Sequence, residues 1–179
     1  MESWTFYPVF IATLVSVMGL SYIAVSEHTG DRPRPLSELA VAEQPLLARF
    51  RNILLFCGAL FAVTVFGFIV PRVNHPIVVA IFGGLMIGGE LLAALIPARH
   101  KTAVAHAVLA QTMALGMLGL AVMFWLGLAT FVAAEAVLAL VMCAAAILML
   151  TDRKRFIMYE LAFIFSSHFT ILIAAMALR

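Results

Sequence analysis

The sequence predicts an all-α fold: a polytopic membrane protein with six transmembrane helices in one bundle. Three observations carry that prediction. Hydrophobic residues make up 65% of the 179 and charged residues 11%, against about 45–50% apolar and about 25% charged in a soluble domain. The apolar residues are gathered into runs of about 20, long enough to cross a bilayer. The charged residues sit mostly in the stretches between those runs. The near balance of 11 Lys and Arg against 9 Asp and Glu leaves no basic footprint for nucleic acid. The whole chain, 1–179, reads as a single transmembrane domain.

The first span is expected over about Thr5 to Val25, with Trp4, Phe6 and Tyr7 as aromatic anchors at its start. Met1-Glu2-Ser3-Trp4 lacks the positive n-region of a cleavable signal, so this run reads as a retained span. Residues 26–50 form the long polar connection, holding Glu27, His28, Asp31, Arg32, Arg34, Glu38, Glu43 and Arg49. Pro33 and Pro35 break helix early in it. The segment Leu36 to Ala42 then predicts a short amphipathic helix on the membrane surface, with Ser37 near its start and Pro45 to end or kink it. The second span is expected over about Arg51 to Val70, stopping at Pro71-Arg72. After the turn Asn74-His75-Pro76 the third runs from about Ile77 to Ile96.

A basic turn, Pro97 to Lys101, follows. Residues 103–150 then contain no Lys, Arg or Asp. As one helix they would extend roughly 72 Å, over twice the hydrocarbon thickness, so the run must fold back. The turn is placed at Gly127-Leu128-Ala129-Thr130, giving spans over about Ala103–Leu126 and Phe131–Leu150. Thr151 to Arg155 is a polar loop, and the sixth span runs from about Phe156 to Leu178. Cys57 and Cys143 fall inside apolar runs, where a free thiol behaves as a small hydrophobe, and no disulfide framework is implied.

Six spans put both termini on one side. Nine of the eleven basic residues lie in the first, third and fifth connections: Arg32, Arg34, Arg49 and Arg51, then Arg99 and Lys101, then Arg153, Lys154 and Arg155. Arg72 and Arg179 remain for the other face. The positive-inside rule therefore places these connections in the cytoplasm and both termini outside the cell (inner) membrane.

Ionisable groups inside apolar spans are expensive and usually face a bundle interior. Glu90 lies about 10 Å from the cytoplasmic end of its span, Gln111 about 12 Å, and His106 and Glu160 about 5–6 Å. Ser167 and His168 lie near mid-membrane. Glu160 and Ser167 are seven residues apart and share a helix face. Glu90, His106, Gln111, Glu160, Ser167 and His168 are therefore expected to line one polar site in the cytoplasmic half, with Ser37 and Glu38 over its mouth. The competing reading is structural, with each group hydrogen-bonded between helices as glue. Glu135 stands alone nearer the outer face and is expected to pair with Arg72 or with a hydroxyl such as Thr5 or Tyr7. Gly84 and Gly88 form a GxxxG extended by Ala80, on the side of the helix away from Glu90. Such a face suits close packing within the bundle, or an oligomer contact.

The polar connection ending Pro35-Leu36-Ser37-Glu38-Leu39, the span carrying Asn52 and Gly58, and the small-residue span ending Ile96-Pro97 before His106-Ala107 resemble one group. This is the bacterial six-span membrane family distantly similar to eukaryotic Frag/DRAM/Sfk-type proteins, and the resemblance covers roughly residues 20–126. It implies six helices, and the eukaryotic relatives are associated with lipid handling. Family members often carry an acidic residue or cysteine after that proline. Ala98-Arg99 stand there instead, so no site residue is carried over from the turn.

Three functions remain open. The first is a small transporter, channel or lipid-binding protein, with membrane lipids and a small ion or amphiphilic ligand as partners. Glu90 would carry the proton or cation, His106 and Glu160 would be its gate-side partners, and His168 would stand further along the path. The second is an intramembrane hydrolase or lipid-modifying enzyme using histidine-bound metal. His100 and His106 are six residues apart, which is not a helical ligand spacing such as HExxH. The depths of His106 and His168 differ by over about 10 Å, which is poor for two haem ligands. Neither metal nor cofactor is expected. The third is an accessory subunit of a membrane complex.

Overall fold

The computed structural model describes residues 6–26, 35–42, 44–99 and 101–179. The sequence expectations for Trp4, Thr5, Glu27, His28, Asp31, Arg32, Pro33, Arg34, Glu43 and His100 lie outside the described residues. Among the described residues the fold is all-α, with six helices long and apolar enough to cross a membrane. The chain is a multi-pass membrane protein.

The spans are α1 (Phe6–Ser26), α3 (Gln44–Thr64), α4 (Pro76–Leu95), α5 (Ala103–Gly127), α6 (Val132–Thr151) and α7 (Phe156–Ala177). Between α1 and α3 lies the short α2 (Leu36–Ala42). Punctuation residues set several boundaries. Pro76 opens α4, where its missing N–H costs nothing. Pro97 forces Ile96 into an extended conformation, which ends α4. The turn between α5 and α6 falls where the length argument placed it, with Phe131 in the left-handed region at φ 60°.

The second span differs from expectation at its start. Its helix begins at Gln44, not near Arg51. Pro45 does not kink the short surface helix but sits in the first turn of α3, where proline is tolerated. Leu46, Phe50 and Leu54 then recur every four residues as one buried stripe. That stripe packs with Leu20 and Ile23 of α1, Leu36 and Ala40 of α2, and Ala94 of α4. The amphipathic α2 thus lies tucked among the helix ends, its apolar residues spent on this cluster. At the other end, α3 passes into a π-helical turn, Val65–Ile69, closed by the Val70 N–H on the Val65 carbonyl. A 3₁₀ turn, Val70–Arg72, then tightens the chain into the loop.

Consecutive spans pack side by side, and α7 returns to lie against α1, so the six close into a ring in chain order. Against the ring's interior, α7 also meets α5 and the π-helical turn. The tightest seam is between α4 and α5. A Cβ on Gly89 would stand 2.7 Å from the Met113 backbone nitrogen, and one on Gly116 would collide with the Met86 backbone. The expected packing face at Gly84 and Gly88 does not pack within the bundle: a Cβ on either would meet nothing within 4 Å. The reason is helical geometry. Gly83, Met86, Ile87, Glu90, Ala93 and Ala94 form the buried arc of α4, and Gly84 and Gly88 fall opposite its centre.

Candidate functional site

Glu90 sits near the centre of the buried arc of α4, with 1% of its surface exposed. Gly58 of α3 makes room for it: a Cβ there would stand 3.6 Å from the Glu90 carboxyl carbon. Cys57 lies within electrostatic reach of Glu90. Its thiol is already engaged, donating to the Ala12 carbonyl of α1 at 3.3 Å. The Oε2 atom of Glu90 is buried without a hydrogen-bond partner among the described residues. A charge near the bilayer centre costs about 2.5–3.5 kcal/mol on insertion scales.

His168 of α7 is 2% exposed, and neither ring nitrogen has a hydrogen-bond partner among the described residues. Its imidazole lies against the ring of Phe61 on α3, centroids 4.5 Å apart and planes tilted by 39°. Gly58 and Phe61 are three residues apart, so they share a face of α3 with a rise of about 4.5 Å between them. Glu90 and His168 therefore bear on successive turns of one face of the same helix. Thr13 of α1, next in sequence to Ala12, is a further buried hydroxyl without a partner. Ser167 is buried too, but its hydroxyl donates to the Ile164 carbonyl of its own helix at 2.7 Å.

The groups expected at the basic end behave differently. Nδ1–H of His106 donates to the Ile96 carbonyl at 2.7 Å, and the Thr102 hydroxyl donates to the Pro97 carbonyl at 2.5 Å. Together they tie the α4–α5 turn shut. Because a carbonyl only accepts, the bond puts a proton on Nδ1. Glu160 is half-buried, and its Oε2 accepts the Leu36 N–H at 2.8 Å. A carboxylate there complements the first turn of α2. Ser37 is half-buried and Glu38 exposed on that helix, close to where Glu160 holds it. Gln111 is exposed. It lies five residues after buried His106, about 140° round α5, and so turns away from the interior.

Glu135 is fully buried near the start of α6. Neither of its carboxylate oxygens makes a hydrogen bond among the described residues, the hydroxyl beside it is that of Thr170 on α7, and Thr5 lies outside the described residues. Arg72 donates to the Phe68 carbonyl at 3.1 Å and lies over the Phe68 ring, and Tyr7 is exposed. Sequence reasoning also missed Cys57 and Phe61 as walls of the site. The available signal was spacing, since Cys57, Gly58 and Phe61 fall on one face of a helix whose neighbour carries Glu90.

Among the described residues, no three His, Cys, Asp or Glu side chains converge in a way that would hold a metal ion. Comparison of the chain with protein-family models, curated proteins and solved structures returned no match.

Proposed function

We propose that this membrane protein is a small transporter or channel that carries a proton or small cation through its interior. Glu90 is the carrier and His168 the next station along the path. One observation supports the reading above the others: Oε2 of Glu90 and both ring nitrogens of His168 are buried without hydrogen-bond partners. Polar side chains that fasten membrane helices do so by hydrogen-bonding across them. Buried polar atoms left unpaired are uncommon and costly, and a site that binds and releases is a standard reason to keep them. His106 and Glu160 serve this reading as the frame of the cytoplasmic rim, since each holds a backbone group in place.

The division of basic residues, nine against two, supports a reading with the rim in the cytoplasm and both termini outside. Reporter fusions to the C-terminus check this, and cytoplasmic activity there would reverse the direction of the path.

The decisive experiment follows proton flux into proteoliposomes under an imposed pH gradient, beside the thermal unfolding of the same preparations. Glu90→Gln keeps the shape and hydrogen-bonding capacity but removes the titrating group. It is expected to abolish flux while leaving expression and melting nearly unchanged. Glu90→Leu is expected to fold as well, because it replaces a costly group with an apolar one. Full flux in Glu90→Gln across the pH range would return Glu90 to the role of helix glue.

A further inference from the structure

We propose that Glu135 and Thr170 form a second proton-binding site, in the outer half of the bundle and on the opposite side of α7 from His168. Glu135 lies three residues into α6, so about 5 Å inside that end of the helix. Both of its oxygens are buried and without partners. The Thr170 hydroxyl of α7 lies beside the carboxyl. It is itself fully buried and makes no full hydrogen bond. The pair contains what a proton site needs: a carboxyl that can take or release the proton, and a hydroxyl that can accept from the acid or donate to the carboxylate. The first turn of α6 supplies the rest, because a helix N-terminus lowers the cost of the ionised form.

Among the described residues of α5 and α7, the two spans packed against α6, no other ionisable group faces Glu135, and the basic turn Arg153–Arg155 lies at the opposite end of α6. From Ala107 to its end at Gly127, α5 carries no ionisable residue. The ionisable residues of α7 are Tyr159 and Glu160 at its other end and His168, whose ring is turned to Phe61 of α3. Arg179, beyond α7, lies over the Phe6 ring of α1. Thr170 follows His168 by two residues, about 200° round the helix. α7 therefore presents the imidazole to α3 and the hydroxyl to α6. One helix separates two buried carboxyl sites, Glu90 toward the cytoplasmic end and Glu135 toward the outer end. As the outer end of a path, the Glu135 site rests on the proton-carrying reading of Glu90; as a proton-binding site it does not.

The test is a pH titration of the full chain in lipid nanodiscs, read by infrared difference spectroscopy of the carboxyl bands and by proton uptake. Glu135→Gln is expected to remove one carboxyl band and one proton of uptake. Glu90→Gln is expected to remove a different band. Thr170→Val is expected to shift the Glu135 band without deleting it, which keeps the assignment testable if Glu135→Gln fails to fold. An unchanged spectrum and uptake in Glu135→Gln, or an unshifted band in Thr170→Val, would overturn the outer site. If instead only Glu90→Gln is silent, the outer site stands and the reading of Glu90 as carrier fails.

Discussion

The rim of the bundle and its interior hold the same kinds of residue and use them in opposite ways. At the rim, His106 donates to the Ile96 carbonyl and Glu160 accepts the Leu36 N–H. In the interior, His168 and Glu90 bury polar atoms that have no hydrogen-bond partner among the described residues. The difference lies in the backbone within reach. At the rim, helices begin and end, and their termini leave unsatisfied carbonyls and amides that side chains can serve. In mid-span every backbone group is already bonded within its own helix, so a polar side chain finds no backbone partner there. Burial alone therefore does not distinguish His106 from His168 in this bundle; what each ring nitrogen is bonded to does.

Mutation of the two histidines sharpens that contrast, and the larger effect belongs to the rim. His106→Ala removes a hydrogen bond and a buried ring, and strips a partner from the carbonyl that ends α4. It is expected to cost about 1–3 kcal/mol, read as earlier thermal unfolding in detergent. The pH dependence of any flux that survives should match the parent. A melting temperature equal to the parent's would mean that the turn does not need this bond.

The smaller effect belongs to His168→Leu. Replacing an unpartnered buried polar group by an apolar one of similar bulk is close to neutral, or stabilising. Melting is expected within about 1 kcal/mol of the parent in stability, while proton flux is lost. A large loss of stability would show that the imidazole fastens helices after all, and the contrast between rim and interior would collapse.

Span number, span ends and the α2 segment were legible in the sequence because each follows from local rules. Apolar length, helix-breaking prolines and basic connections act within a few residues of one another. The start of α3 was misread for a related reason. Pro45 can end one helix or begin the next, and only the burial of Leu46, Phe50 and Leu54 against other helices decides between them. The depth of Glu90 and His168 followed from counting residues along their helices, but their meeting on one face of α3 did not. That depends on how each helix is rotated about its axis, which packing sets. The same rotation turned Gln111 and the Gly84/Gly88 face outward and brought Gly89 and Gly116 into the closest seam. By itself the sequence determined how many times this chain crosses and how deep each polar group lies, because both are counts along one dimension. Only the tertiary structure decided which polar atoms are bonded and which are left free, because a hydrogen bond needs two groups within about 3 Å in all three dimensions.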